Sequence, residues 1–125
     1  MGSDGAFPTP AGAIPPALAA VDTMGRVCVV HISGEIDMTS RDAVERVLTR
    51  TVDGRPEVVV VDLSEVTFFG SSGLQMLAEA RAHAIANAVP LRLVASSRKV
   101  LRPLEITGMT TAFPVYASVA EAMSG

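Results

Sequence analysis

The sequence predicts a single α/β domain whose mostly parallel sheet has about five strands, with an antiparallel N-terminal edge and about four flanking helices. Short valine-rich runs alternate along the chain with segments whose apolar residues recur at helical spacing. The run EVVVVDL at 57–63 is apolar on consecutive positions, which is typical of a strand covered on both faces. Strands joined by helical crossovers run parallel, so we expect the helices to cover this sheet.

The first predicted element is a β-hairpin. The segments ALAAV and RVCVVHIS flank the turn-forming residues of DTMG, which favours two antiparallel strands. Cys28, the only cysteine, lies among valines of the second strand, where we expect it to be buried. A single cysteine cannot form an internal disulfide, which fits a reducing cytoplasm.

One helix is predicted before the valine-rich strand and another after it. After GEID the apolar residues take helical spacing, which predicts a helix that begins after Thr39 or Ser40 and ends at Gly54. A second helix is predicted from SSGLQML onward. Its side chains that we expect to face the core are Leu74, Leu77, Ala78 and Ile85.

The remaining elements are predicted to be two strands and two helices. LRLVA indicates a strand, FPVYAS a brief last strand and SVAEAM a terminal helix. Between these strands, SSRKVLRPLEITGM predicts a helix that begins at a serine cap. Because Pro103 cannot donate a backbone hydrogen bond, we expect this helix to be short, kinked or split.

Composition and charge indicate one folded domain over residues 18–124. The chain has 125 residues, of which 49% are hydrophobic and 18% charged, which is too apolar for intrinsic disorder. Residues 1–17 carry four prolines, three glycines and no basic residue, so we expect a flexible tail rather than a secretory signal. The net charge is −3 with scattered basic residues, and no apolar run approaches the roughly 20 residues of a membrane span. We therefore expect a cytoplasmic protein without direct contacts to nucleic acid or membrane.

Two adjacent serines lie where the valine-rich strand gives way to the second helix. Ser71 and Ser72 stand between Gly70 and Gly73, at the carboxyl end of a strand in an open α/β sheet. One interpretation is structural, since a serine there can accept a hydrogen bond from an amide of the first helical turn. The other is covalent: a phosphate would bring about −1.5 to −2 charge to a helix N-terminus, which favours anions.

Catalytic, metal and nucleotide sites have no recognisable motif in this sequence. It contains no Cys/His cluster, no Gly-x-x-x-x-Gly-Lys loop and no Gly-x-Gly-x-x-Gly motif. The GSSG segment lacks the Gly-x-Ser-x-Gly pattern of serine hydrolases, and neither His31 nor His83 has an obvious acidic partner. We therefore expect no serine-hydrolase chemistry and no metal or cofactor.

Four segments in order resemble the STAS domain of bacterial anti-sigma factor antagonists, over roughly residues 18–124. They are VHISGEIDMTS, VVVDLSEVTFFGSSGLQML, VLRPLEITGM and the pattern F-x-V-Y-x-S-x-x-E-A. The resemblance implies a protein that is not an enzyme and that binds an anti-sigma factor, itself a serine kinase with a histidine-kinase-like ATPase fold, and so frees a sigma factor. It also implies that the kinase phosphorylates the antagonist and releases itself, and that a PP2C-type phosphatase resets the switch.

The resemblance also assigns roles to individual residues. The phosphorylated serine of the family matches Ser72, with Ser71 as the less favoured position beside it, and Gly73 and Leu74 match the same motif. Glu35 and Asp37, which by themselves indicate a solvated turn, correspond to a loop of the family's kinase-binding surface. The residues expected to bind the partner are therefore Glu35, Asp37, Ser71, Ser72, Gly73 and Leu74.

One position departs from the family pattern. The aspartate that usually precedes the two serines is Gly70 here, so a charge and a hydrogen-bond acceptor beside the hydroxyls are missing. This departure keeps two alternatives open. The domain could be a constitutive signalling scaffold without control by phosphorylation, or a sensor that binds a nucleotide or another anion.

Overall fold

The computed structural model describes residues 17–125, which form five strands and five helices. The predicted alternation of strands and helices is confirmed, with one short helix more than expected. The predicted tail at residues 1–17 lies outside the described residues except for Ala17, which begins the first strand. In chain order the elements are β1 (Ala17–Met24), β2 (Val27–Ile36), α1 (Arg41–Asp53), β3 (Val58–Phe69), α2 (Ser71–Ala86), β4 (Leu91–Val94), α3 (Arg98–Ile106), α4 (Met109–Ala112), β5 (Val115–Tyr116) and α5 (Val119–Ser124).

The strands form one mixed sheet in the order β1-β2-β3-β4-β5. β1 pairs with β2 in antiparallel fashion, and each of the other neighbouring pairs is parallel. A tight turn joins β1 to β2 at Gly25, whose φ of 63° lies in the left-handed region that glycine adopts without steric cost. The predicted hairpin, parallel sheet and antiparallel edge are all confirmed.

Apolar side chains cover both faces of the sheet, as the unbroken valine run predicted. Val59 and Val61 of β3 face the larger cluster, which contains buried residues of α1, α2 and α3. Val58 and Val60, which point the other way, face a smaller cluster completed by Ala122 of α5. The sheet is therefore the middle layer of the domain, with its carboxyl-terminal strand ends directed toward the loops that follow β2, β3 and β4.

The predicted inward face of α2 is partly wrong. Leu77 is fully buried and Leu74 is half-buried, but Ala78 and Ile85 lie on the exposed side. Alanine and methionine make α2 apolar around much of its circumference, so the apolar pattern alone does not select one face. The buried residues of α2 are Gly73, Met76, Leu77, Ala80 and Ala84.

The segment around Pro103 is split, but the break does not lie at the proline. The hydroxyl of Ser97 accepts a hydrogen bond from the amide of Lys99 and so begins α3 as predicted. The helix continues through Pro103 to Ile106, and the chain turns at Gly108, where φ is 77°.

Cys28 is less buried than predicted. It lies on β2 as expected, but it is only half-buried, opposite Thr23 of the edge strand β1. Its sulfur lies 3.9 Å from Thr23 Oγ1, across the hairpin.

Candidate functional site

The ends of β2 and β3 bring the two predicted site segments together. β3 extends beyond the predicted strand as far as Phe69, which pairs with Ile36 at the end of β2. The amide of Gly70 donates a hydrogen bond to the carbonyl of Ile36 at 3.5 Å. The turn after β2 and the segment that leads from the end of β3 into α2 therefore lie side by side. We call these two segments, residues 35–40 and 68–74, the serine edge.

The two serines lie inside the first turn of α2 and do not cap it. The N-cap is Gly70, in an extended conformation, so Ser71 and Ser72 occupy the first two helical positions. Within residues 17–125 neither hydroxyl forms a hydrogen bond, so the interpretation of the serines as helix caps is wrong. Helix termini leave their first amides without intrahelical partners, and the amides of Ser71 and Ser72 likewise have no backbone partner in this part of the chain. Ser71 is exposed and Ser72 is half-buried.

A close contact between Phe69 and Gly73 fixes the position of these serines. Phe69 is 5% exposed, and a Cβ atom added to Gly73 would lie only 2.7 Å from its Cε1 atom. Leu74, which was expected both to face the core and to bind the partner, packs in part against the core. Only a residue without a side chain at position 73 lets the helix begin this close to the end of β3.

The Asp37 carboxylate organises the turn after β2. One of its oxygens accepts hydrogen bonds from the hydroxyl of Thr39 at 2.7 Å, the amide of Thr39 at 2.9 Å and the amide of Ser40 at 3.2 Å. These bonds hold the pKa of Asp37 below its ordinary value, and the bond from the Thr39 hydroxyl has the largest effect. The buried hydroxyl of Ser40 donates to the carbonyl of Glu35 at 2.8 Å. Asp37 therefore shapes the turn, whereas the side chain of Glu35 is exposed.

Arg41, which the sequence did not single out, joins the start of α1 to α2 next to the serine edge. Its guanidinium donates to Gln75 Oε1 at 2.9 Å and to Glu79 Oε1 at 2.6 Å, both on α2. It also donates to Glu45 Oε1 at 2.8 Å, one turn further along α1. The spacing of Arg41 and Glu45 is visible in the sequence, but the contacts to α2 depend on how the two helices pack.

Two apolar side chains at the serine edge are exposed. Met38, in the turn after β2, is 81% exposed, and Phe68, near the end of β3, is 51% exposed. Phe68 pairs with Glu35 across the two strands. Large apolar residues that are exposed at one edge of a domain are common at sites of protein contact. The sequence contained these residues, but only the strand register shows that they share one edge.

Both histidines have acidic partners, contrary to the expectation from sequence. His31 Nδ1 lies 2.8 Å from Asp62 Oδ2 on the neighbouring strand, and His83 Nε2 lies 2.7 Å from Asp53 Oδ1 on α1. The hydroxyl of Ser64 bonds to Asp62 rather than to an imidazole, so within the described residues no serine is paired with a histidine base.

Residues 17–125 offer neither a metal-binding cluster nor a membrane-spanning helix. That range contains no group of three or more His, Cys, Asp or Glu placed to hold a metal ion. The helices of the same range are too short or too polar for any of them to cross a bilayer.

Comparison with known proteins identifies the family. The STAS domain model matches residues 19–122. The anti-sigma-F factor antagonist RsfB of Mycobacterium tuberculosis is 34% identical over 99 residues, which are 79% of this chain and 80% of that protein. The crystal structure of an anti-sigma factor antagonist from Mycobacterium paratuberculosis matches with a TM-score of 0.81 and 33% identity, over 86% of this chain and 92% of that one.

A more distant solved structure shares the fold alone. The Bacillus cell fate determinant SpoIIAA, in its phosphorylated form, matches with a TM-score of 0.67 and 16% identity, over 86% of this chain and 97% of that one. The family model and the 34% identical relative each cover most of the present sequence. The chain therefore belongs to the STAS-domain family of anti-sigma factor antagonists.

Proposed function

We propose that this protein is an anti-sigma factor antagonist that binds an anti-sigma factor serine kinase through the serine edge and thereby releases a sigma factor. It acts by binding and catalyses no reaction of its own. The observation that carries this proposal is the geometry of Ser71 and Ser72, whose hydroxyls are free of hydrogen bonds within the described residues and lie beside an exposed turn. The relatives named as anti-sigma factor antagonists support the class of partner.

The exposed side chains of the serine edge suit a protein surface. Met38 and Phe68 supply apolar area, and Glu35 adds an exposed carboxylate next to Phe68. Apolar residues surrounded by polar ones are typical of protein interfaces, so we expect a partner with an apolar patch and a basic side chain opposite Glu35. Asp37 contributes mainly by holding the turn in shape, because one carboxylate oxygen is already occupied.

Phosphorylation at Ser72, or less favourably at Ser71, would weaken partner binding and leave the domain folded. The free amides of both serines and the N-terminal end of the α2 dipole favour an anion, and the first turn of α2 contains no acidic residue. A docked partner would instead meet about −1.5 to −2 extra charge at the contact surface. A loss of about 3 kcal/mol of binding free energy weakens a complex more than a hundredfold.

The site of modification can be tested directly. The protein is incubated with the cognate anti-sigma factor and ATP, and mass spectrometry then locates phosphate on the peptide containing both serines. We expect one phosphate, which is absent from the Ser72→Ala protein and present in the Ser71→Ala protein. Full modification of Ser72→Ala would place the phosphate on Ser71 instead. A PP2C-type phosphatase is expected to remove the group.

Binding is tested separately from modification. Wild-type, Ser72→Glu and Ser124→Glu proteins are used in parallel to capture partners, with Ser124 chosen as an exposed serine at the far end of α5. We expect the wild-type and Ser124→Glu proteins to retain the anti-sigma factor and the Ser72→Glu protein to lose it. Failure of the wild-type protein to bind any anti-sigma factor would refute the proposed function.

A second candidate function is favoured by one observation. Gly70 supplies no carboxylate beside the serines. A kinase that needs this carboxylate to recognise the serines would not phosphorylate them. The protein would then be a constitutive scaffold that binds its partner without control by phosphorylation. Binding that is unchanged by Ser72→Glu, together with no phosphate on either serine, would support this function over the switched one.

A further inference from the structure

The outer edge of β1 is open. Within residues 17–125, β1 is an edge strand of the sheet and has a strand partner on one side only. The opposite edge strand, β5, is two residues long, whereas β1 is eight residues long and pairs with β2 in an unbroken register. Natural edge strands are usually protected by lysine, proline, a bulge or short length. β1 has no lysine, proline or bulge and is not short, and Asp22 is the single charge that protects it.

The exposed apolar residues of β1 are arranged symmetrically. Leu18 is 56% exposed, Val21 is 46% exposed and Met24 is 41% exposed. Leu18 and Met24 share one face of the strand, at equal distances on either side of Val21, which points to the opposite face. A strand with this spacing presents the same apolar pattern when it is read in either direction.

We infer that β1 pairs with β1 of a second copy in antiparallel fashion, with Val21 opposite Val21 on the two-fold axis. In this register Leu18 lies opposite Met24 of the second copy, and Ala20 lies opposite Asp22. Residues directly opposite each other in an antiparallel pair point to the same face of the sheet, so each large apolar side chain meets another. The two sheets become one continuous sheet, and the contact is isologous, as a two-fold dimer requires.

The neighbouring registers are less favourable. A shift of two residues in one direction places Asp22 opposite Asp22, which brings two like charges together. A shift of two residues in the other direction places Leu18 opposite Asp22 and leaves Met24 beyond the paired segment. A slip of one residue exchanges the two faces and separates the apolar side chains.

This inference goes beyond the proposed function and involves a different part of the molecule. Val21 pairs with Val30 of β2, which lies six residues before Ile36 at the serine edge. β2 also separates β1 from β3 in the sheet. The start of β1 lies closer to that edge, because Ala17 pairs with Gly34, next to Glu35. A dimer formed through β1 therefore leaves at least the α2 half of both serine edges open to a partner.

Sedimentation velocity of the full chain across the micromolar range tests the dimer. We expect the wild-type protein to form a dimer, and both Val21→Lys and Val21→Glu to raise its dissociation constant on the order of tenfold or more, since like charges would face each other on the axis. An equal mixture of the Val21→Lys and Val21→Glu proteins should recover the dimer, because opposite charges then meet. Ile85→Lys, at another exposed apolar position, is the matched control and should leave the dimer intact.

The inference is overturned by a wild-type protein that stays monomeric across this range, or by a dimer that persists in Val21→Lys. A mixture that stays monomeric would exclude Val21 from the axis. Far-UV circular dichroism checks that each variant is folded. Amide hydrogen exchange of the wild-type protein gives a second measurement that needs no variant: the outward amides of β1 should become protected as concentration rises, and unchanged exchange would contradict the pairing.

Discussion

Gly73 lets the first turn of α2 rest on the ring of Phe69, since a Cβ atom at position 73 would lie 2.7 Å from Phe69 Cε1 and 2.8 Å from Cδ1. Phe69 is buried at the end of β3, so its ring has little room to move away. The position of Ser71 and Ser72 relative to the sheet therefore depends on the absence of a side chain at Gly73, the next residue of the helix. This contact links a core residue directly to the exposed serine edge.

Gly73→Ala is expected to destabilise the protein although alanine favours helices more than glycine does. Helix propensity would contribute up to about 1 kcal/mol in favour of alanine. Forcing an extra methyl group into a packed core typically costs about 1 to 3 kcal/mol, so we expect a net loss of about 1 kcal/mol in the free energy of unfolding. Urea denaturation measures this change.

A second substitution tests whether the ring of Phe69 is the cause. Phe69→Leu makes room for the new methyl group, so the double variant should be less destabilised than the sum of the two single variants. Additive losses in this double-mutant cycle would mean that the clash lies elsewhere. A Gly73→Ala protein as stable as wild type would contradict the proposed role of this contact.

Ser71→Ala and Ser72→Ala are expected to leave stability nearly unchanged. Neither hydroxyl has a hydrogen-bond partner within the described residues, and Gly70 occupies the N-cap. Loss of a capping serine typically costs about 1 kcal/mol, whereas a surface substitution away from such features stays within about 0.5 kcal/mol. Thermal unfolding separates the two cases, and Ser97→Ala is the matched control, because the Ser97 hydroxyl does cap α3. A similar loss in all three variants would show that the serines of α2 cap the helix in solution.

Gly70→Asp restores the carboxylate that the family pattern places before the two serines. The backbone of Gly70 is extended, with φ −98° and ψ −164°, so an aspartate fits there and can accept a hydrogen bond from the free amide of Ser72. Its Cβ atom would lie 3.1 Å from the ring of Phe68, but this ring is half-exposed and can rotate into solvent. We expect the stability to change by only a few tenths of a kcal/mol, since glycine is itself a fair N-cap.

The functional effect of Gly70→Asp is expected to be larger than its effect on stability. If the missing carboxylate limits recognition by the kinase, phosphate should be incorporated faster into Gly70→Asp than into wild type, as measured by mass spectrometry over time. Gly70→Asn, which caps without a charge, separates the effect of charge from that of the cap. Equal rates for all three proteins would show that position 70 does not control modification.

Much of the fold could be predicted from the sequence because burial leaves a periodic pattern in it. The consecutive valines of β3 and the helical spacing of Val44, Leu48 and Val52 in α1 each correspond to a confirmed element. The exposed position of Ile85 could not be predicted, because α2 is apolar on several sides and tertiary packing selects its inner face.

The candidate site was only partly visible in the sequence. The proximity of the two segments could be expected from parallel strands, whose carboxyl ends lie at one edge of the sheet. The N-cap of α2 is Gly70, one residue before the predicted serine. Sequence patterns do not locate the end of a helix to within one residue. Contacts such as that between Arg41 and Glu79 depend on the packing of α1 against α2, and no local pattern encodes them.

Asp62 is expected to make stability depend on pH in the acid range. Burial favours the neutral carboxyl group, but hydrogen bonds from Ser64 and the nearby His31 outweigh this effect and hold the pKa of Asp62 below its ordinary value. A carboxylate with a lowered pKa in the folded state stabilises the protein above its unfolded pKa of about 4, and this contribution is lost as pH falls through the folded pKa. Asp62→Asn should therefore cost about 1 to 3 kcal/mol at neutral pH, because Ser64 and His31 lose a charged acceptor.

The difference between wild type and Asp62→Asn should shrink as the pH falls below about 4, where the unfolded chain begins to bind the proton, and should be smallest once the folded carboxylate is protonated at its lowered pKa. Urea denaturation at a series of pH values measures both curves. Ser64→Ala removes the hydroxyl that donates to Asp62 and should weaken the same pH dependence without abolishing it. If the two curves stayed parallel from neutral to acid pH, the ionised form of Asp62 would have no role in stability, and its contacts with His31 and Ser64 would serve only to pack β2 against β3.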